Sequence, residues 1–146
     1  MRKLCDMKEI LEKLKSVLKK AGLADRLHSP ATEEEISAWE EAHGKRLPTE
    51  IKEFLRMSNG FEYRWNFNVY PLDKIKIIEG VQGVPDGWLD LGWLIGDGCY
   101  IVSDENGRLV KCDCESRPLL SELDLAEWID DHVIEHIYED YDIDEE

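Results

Sequence analysis

Long hydrophobic runs are missing from this 146-residue sequence, and this absence excludes several classes of protein. Lysines at positions 13, 15, 19 and 20 interrupt the apolar residues near the N-terminus, so neither a membrane span nor a secretory signal is predicted there. Proline is scarce, with five residues, while 42% of the chain is hydrophobic, which excludes a disordered chain. We therefore expect a single folded domain over residues 1–146, located in the cytoplasm.

Positive charge is also unevenly distributed along the sequence, and the C-terminal end lacks it. Residues 121–146 contain twelve Asp and Glu and no Lys or Arg, whereas residues 1–30 contain eight Lys and Arg against four acids. The formal net charge is −15, which argues against binding to nucleic acid or to an anionic membrane. Such a field attracts a basic protein surface, so we expect a protein partner with a basic face.

Few residues have the spacing of a catalytic or metal site. Cys99, Cys112 and Cys114, with His132 and His136, are the residue types of a zinc site. However, Cys-x-Cys on a strand has no turn to bring two thiols onto one metal, so we interpret the cysteines as reduced and structural. A disulfide or a small metal-dependent enzyme remain the alternatives. We predict no enzyme activity, no cofactor and no metal.

The first half of the chain has helical patterns. Met7, Leu11, Leu14 and Leu18 lie on one side of a predicted helix over residues 4–21. Thr32 and Glu35 have the spacing of a capping box, and Gly44 is a typical helix stop. A further helix should start at Pro48 and bury three residues, Ile51, Phe54 and Leu55.

The second half alternates like strands and then ends in a helix. The clearest hairpin joins Cys99–Ser103 to Arg108–Cys112 through Asn106-Gly107. A two-residue turn would place Cys99 opposite Cys114, a longer loop would place it opposite Cys112, and both registers put the cysteines on the apolar face with Ile101. A final helix is predicted over Leu120–Tyr138, with Leu125, Trp128, Ile129, Val133 and Ile137 inward, followed by an acidic tail at residues 140–146. The predicted fold is α+β, with a central, mainly antiparallel, twisted sheet and with the N-terminal helices and the C-terminal helix packed around it.

The order of these elements also resembles a known family. The acidic-capped helix with Ile36 and Glu40, Gly44, Leu47-Pro48, Phe54-Leu55 and Asn59-Gly60 resemble the opening of a SUKH-superfamily domain. Residues 95–98, the hairpin turn and the closing acidic helix fit as well, while residues 1–30 form an N-terminal helix extension that is less diagnostic. The superfamily includes bacterial immunity proteins of polymorphic toxin systems and fungal regulators of cell-wall synthesis.

The resemblance implies an immunity protein that binds and neutralises a cognate toxin domain inside the producing cell. Many toxin domains are nucleases with basic clefts, which an acidic partner could cover. A regulatory or scaffolding protein-binding domain is the alternative. Exposed aromatics rimmed by acids are typical of binding hot spots, so the predicted partner-binding residues are Tyr63, Trp65, Trp88, Asp86, Asp90, Asp104, Glu105, Glu127, Asp130 and Asp131.

Overall fold

The computed structural model describes residues 7–63, 67–80, 84–94, 99–113 and 121–141, with α-helices, one π-helical turn and seven strands. The helical parts are α1 (Met7–Lys20), α2 (Glu33–His43), α3 (Thr49–Met57), α4 (Leu125–Trp128), the π-helical turn (Ile129–Ile134) and α5 (Glu135–Tyr141). The strands are β1 (Phe61–Tyr63), β2 (Phe67–Val69), β3 (Lys76–Ile77), β4 (Leu89–Leu94), β5 (Cys99–Ser103), β6 (Leu109–Asp113) and β7 (Ser121–Glu122). Over the described part of the chain, no helix is long and apolar enough to cross a membrane.

All strand pairs are antiparallel, and the strand order is β1-β2-β4-β5-β6-β7. The short strand β3 pairs with the first two residues of β4, Leu89 and Asp90. The inner face of the sheet packs against the helices and forms the main core. This arrangement confirms the predicted α+β fold with a central antiparallel sheet.

The predicted helix ends are confirmed at α2. The Thr32 hydroxyl accepts a hydrogen bond from the Glu35 backbone N–H at 3.1 Å, and Glu35 Oε1 accepts one from the Thr32 N–H at 2.9 Å. Gly44 ends the helix with a φ of 63°, a left-handed conformation that costs glycine little. Local sequence therefore fixes both ends of this helix.

Three phenylalanines join α3 to the sheet. The ring centroid of Phe54 lies 6.2 Å from that of Phe61 and 6.0 Å from that of Phe67, and all three side chains are buried. Phe67 also stacks on Trp128 of α4, with centroids 5.6 Å apart. The inward faces predicted for α1 and α3 are buried here as expected.

The C-terminal helix begins later than predicted. Residues Ser121–Glu122 form β7 instead, paired with β6. The helix starts after Asp124, whose carboxylate accepts a hydrogen bond from the Glu127 N–H at 3.1 Å. It continues without interruption through the π-helical turn to Tyr141, so the first two residues of the predicted tail are helical, and residues 142–146 lie outside the described part.

Both predicted registers of the β5–β6 hairpin are wrong by one residue. Cys99 pairs with Asp113, and Tyr100 pairs with Cys112. The connecting loop holds five residues because Asp104 Oδ1 accepts hydrogen bonds from the N–H groups of Asn106 and Arg108, each at 2.9 Å. A one-residue shift moves a side chain to the other face. Cys112 therefore lies on the outer face of the sheet, whereas Ile101 lies on the inner face.

Candidate partner-binding surface

Described residues cover only part of the outer face of the sheet. Over β5 and β6, the segment around β3 folds back and forms a second, smaller core, made of Ile78, Val84, Trp88, Val102, Val110 and Cys112. Among the described residues, no helix lies over the rest of this face. We call it the open face and define it by Glu62, Asn68, Asp90, Trp93 and Tyr100.

Four of these residues form a continuous row across four strands. Glu62 pairs with Asn68, Asn68 with Trp93, and Trp93 with Tyr100. Trp93 is half-buried, and Tyr100 is 40% exposed, the one large hydrophobic side chain that is exposed among the described residues. Aromatic side chains on an uncovered sheet face are typical anchors of protein interfaces.

A β-bulge places Asp90 on the same face as Trp93. The register between β4 and β5 shifts between Asp90 and Gly92, so two residues separated by an odd number of positions point the same way. Only glycine fits at position 92, because a Cβ there would lie 2.0 Å from the carbonyl oxygen of Asn68. The close approach of β2 therefore requires glycine at this position of the bulge.

Burial changes the acid–base properties of two groups beside this row. It raises the pKa of Asp90 to about 6, although the charge of Lys76 and a hydrogen bond from the Gly92 backbone lower it. Burial also raises the pKa of Tyr70 to about 12, with a further contribution from the negative charge of Asp90. The two side chains line a pocket of about 420 Å³ at the edge of the open face.

Two aromatics predicted to bind a partner are buried, which corrects that prediction. Tyr63 is fully buried, and its hydroxyl donates a hydrogen bond to Asp140 Oδ2 at 2.6 Å. Trp88 is 8% exposed in the smaller core, where its Nε1 donates to Glu105 Oε2 at 2.8 Å. Trp65 lies outside the described residues. Strand alternation alone does not reveal which face a neighbouring segment covers.

Three of the predicted acids help to shape loops. Asp86 Oδ1 accepts a hydrogen bond from the Gly80 N–H at 2.9 Å, and Asp104 closes the hairpin loop. Glu105 holds the indole of Trp88. Asp104 and Glu105 line a polar groove of about 490 Å³ whose other wall carries basic residues, namely Lys45, Arg46 and Lys52.

The acids of the C-terminal helix form a separate group. Asp130 makes an ion pair with Lys13 at 2.8 Å, which ties the helix to α1. Glu127 and Asp131 line a shallow groove of about 190 Å³ together with Lys111. The predicted acids therefore do not form one cluster. Of these acids, only Asp90 lies on the open face, where Tyr100 is exposed.

The zinc-type residues also lie apart where they are described. Cys112 is buried in the smaller core on the outer side of the sheet. His132 packs on Trp128, with ring centroids 4.7 Å apart, in the helix on the inner side. The sheet separates these two side chains.

The open face was not predicted from the sequence. Trp93, Tyr70 and Tyr100 are not among the predicted partner-binding residues. The available signal was the alternation of β4 and β5, but the bulge at Gly92 shifts it by one position within β4.

Comparisons with known proteins agree with the order of elements. The model of the SMI1/KNR4 family (SUKH-1) matches residues 30–141. The chain is also 32% identical over 79 residues to the uncharacterized protein YnaB of Bacillus subtilis (strain 168). This match covers 54% of each chain, so it spans about half the length of that relative. Since the family match covers most of the sequence, the chain belongs to the SMI1/KNR4 family (SUKH-1).

Proposed function

We propose that this protein is an immunity protein, which binds a cognate protein toxin in the cytoplasm of the cell that makes the toxin and blocks the toxin's active site. Membership of the SUKH-1 family supports a protein-binding domain of the immunity or regulatory kind, and the family is not known for enzymes. The observation that supports a particular surface is the row of the open face, which ends in Trp93 and Tyr100 and which no described helix covers.

The open face has the properties of a docking surface. The row is built on paired strands, so its side chains are held by the sheet rather than by a loop. Tyr and Trp bury large areas at a small cost in side-chain entropy, which is why they dominate binding hot spots. Tyr100 would therefore anchor the toxin, with Trp93 beside it.

The charge of the chain supports a basic toxin. With a net charge of −15, the protein would attract a basic surface such as the cleft of a nuclease, and so raise the rate of association. Glu127 and Asp131 on the C-terminal helix, and Asp86 and Glu105 near the hairpin, are the predicted acids that would contribute to this attraction.

The test is co-expression with a candidate toxin domain, chosen from the products of the genes that neighbour this one. Wild-type protein should restore growth and bind the purified toxin, whereas Tyr100→Ser should weaken binding at least tenfold. Glu41→Ser, an exposed change on α2, is the matched control and should bind like the wild type. Failure of the wild type to bind or protect would overturn the immunity function.

Two other outcomes have definite meanings. Protection that is unaffected by Tyr100→Ser would show that another surface binds the toxin. Stable binding to a cellular protein, together with no protection against the toxin, would favour the regulatory alternative.

A further inference from the structure

A pocket adjoins the open face at the edge formed by β1, β2 and β3. It has a volume of about 420 Å³, which is within the range of ligand-binding pockets. Asn68 and Glu62 belong both to the pocket and to the row of the open face, so a partner docked on the row would reach the pocket. The other polar side chains that line it are His28, Tyr70, Lys74, Lys76 and Asp90.

One acceptor in this pocket lacks a donor. Asp90 Oδ1 is buried, with less than 1 Å² of accessible surface, and accepts no well-aligned hydrogen bond from any described residue, although the nearby Gly92 backbone lowers the pKa of this carboxyl. A buried polar atom without a partner costs free energy, and a carboxylate costs more than a neutral group. A binding partner that brings a donor to this oxygen recovers that cost.

The surroundings of Asp90 select the kind of donor. Glu62 provides a second carboxylate at the exposed side, Asn68 provides an amide, and Tyr70 provides an aromatic ring. A guanidinium group presents five N–H donors in one plane, tolerates partial burial and stacks on aromatic rings. An ammonium group is more strongly hydrated and has no planar surface to stack.

We propose that this pocket receives an arginine side chain of the protein partner, whose guanidinium group donates to the Asp90 carboxylate while its plane packs near Tyr70. The inference rests on the proposed function, because it describes how a basic partner is recognised at the open face. Lys74 and Lys76 are exposed and also line the pocket, so an anion is the competing ligand. The test must therefore distinguish binding of an anion from binding of arginine.

The first experiment uses nuclear magnetic resonance of the whole chain labelled with nitrogen-15. The probe is N-acetyl-arginine amide, and the matched probe is N-acetyl-citrulline amide, which has the same shape without the positive charge. The arginine probe should shift the backbone signals of Asn68, Tyr70 and Asp90 saturably at millimolar concentration. Equal shifts with the citrulline probe, or no saturable shifts, would overturn the proposal.

Variants and an anion complete this experiment. Asp90→Asn should weaken binding of the arginine probe at least tenfold, whereas Glu41→Gln on α2 removes one exposed acid and should not. Tyr70→Leu provides a second variant that leaves the carboxylate in place, and it should weaken binding about threefold. If inorganic phosphate binds this pocket and the arginine probe does not, the pocket is an anion site and the proposal is wrong.

The toxin assay separates this proposal from the proposed function. If wild-type protein protects cells and Asp90→Asn protects equally with unchanged affinity, the arginine pocket is overturned while the immunity function stands. If the arginine probe binds as expected and no toxin is neutralised, the immunity function fails and the chemistry of the pocket stands.

Discussion

The hydroxyl of Tyr63 donates a hydrogen bond to Asp140 Oδ2 at 2.6 Å, and this contact joins β1 to the last turn of α5. The Tyr63 ring is fully buried in the main core, so the tyrosine crosses from the sheet to the end of the helix. Tyr63, which was predicted to contact a partner, instead links the end of α5 to the sheet.

Tyr63→Phe should lower the free energy of unfolding by about 1–2 kcal/mol, because it removes one hydrogen bond to a carboxylate and leaves the ring in place. Urea unfolding monitored by tryptophan fluorescence gives this difference. Tyr100→Phe is the matched control and should change stability by less than about 0.5 kcal/mol, since Tyr100 is exposed. Equal effects of the two changes would show that the contact with Asp140 is not stabilising.

Phe54→Ala should cost about 3–5 kcal/mol, because it leaves a cavity where Phe54, Phe61 and Phe67 meet. This is a large part of the stability of a typical domain. The same urea measurement applies, with Glu41→Ala on α2 as an exposed control. A loss below about 1 kcal/mol would contradict the assignment of this cluster as the core.

Asp90→Asn should stabilise the protein at neutral pH. The folded carboxyl has a pKa of about 6 against 3.8 for its ordinary value, so the folded state binds the proton more tightly. Stability contributed by this group is therefore greatest below about pH 4 and falls as the pH rises through 6. Allowing for screening by solvent, we expect the amide to gain roughly 1–2 kcal/mol at pH 7.

The difference between wild type and Asp90→Asn, measured by urea unfolding from pH 4 to pH 8, isolates this contribution from the other acids. It should grow with pH and level off above about pH 7. Glu41→Gln removes the same charge from an exposed position and shows how much of the change is due to net charge alone. A difference that does not depend on pH would contradict the raised pKa of Asp90.

Association with a basic toxin should slow with salt, by ~10-fold between low and high ionic strength, because screening weakens long-range attraction. The double variant Glu127→Gln and Asp131→Asn should slow association at low salt. Asp130→Asn should have a smaller effect on the rate, since Lys13 already neutralises Asp130. Stopped-flow mixing with the toxin measures these rates.

An association rate that is indifferent to both salt and the helix amides would exclude electrostatic steering. A rate that falls with salt but not with the helix amides would move the steering to Asp86 and Glu105. Tyr100→Ser should act mainly on dissociation, because short-range contacts form after encounter.

Local signals predicted the helices well. The capping box of Thr32, the glycine stop at position 44 and the inward residues of α1 and α3 are set by nearby sequence, and all are found in the structure. The family match confirms the resemblance over residues 30–141. The capping box, the glycine stop and the helical spacing depend on residues that are close in sequence.

The open face depends on contacts that sequence does not display. The side chain of Asp104 closes a five-residue hairpin loop, and a bulge at Gly92 shifts the register between β4 and β5. Each shift exchanged the faces of neighbouring residues. The segment around β3 covers part of β5 and β6, so that Trp88 is buried and Tyr100 is exposed. Strand alternation alone does not predict which of these two aromatic residues is covered.

The π-helical turn at Ile129–Ile134 has a consequence for the acidic side of the C-terminal helix. Buried residues recur there every fourth position, at Leu125, Ile129, Val133 and Ile137. In an α-helix each four-residue step overshoots a turn by about 40°, so such a stripe would spiral away from the sheet. The wider π turn rotates the later residues back. The exposed acids Asp131, Glu135 and Glu139 share this four-residue spacing, so the π turn brings Asp131 and Glu135 closer to one line along the helix axis than an α-helical turn would.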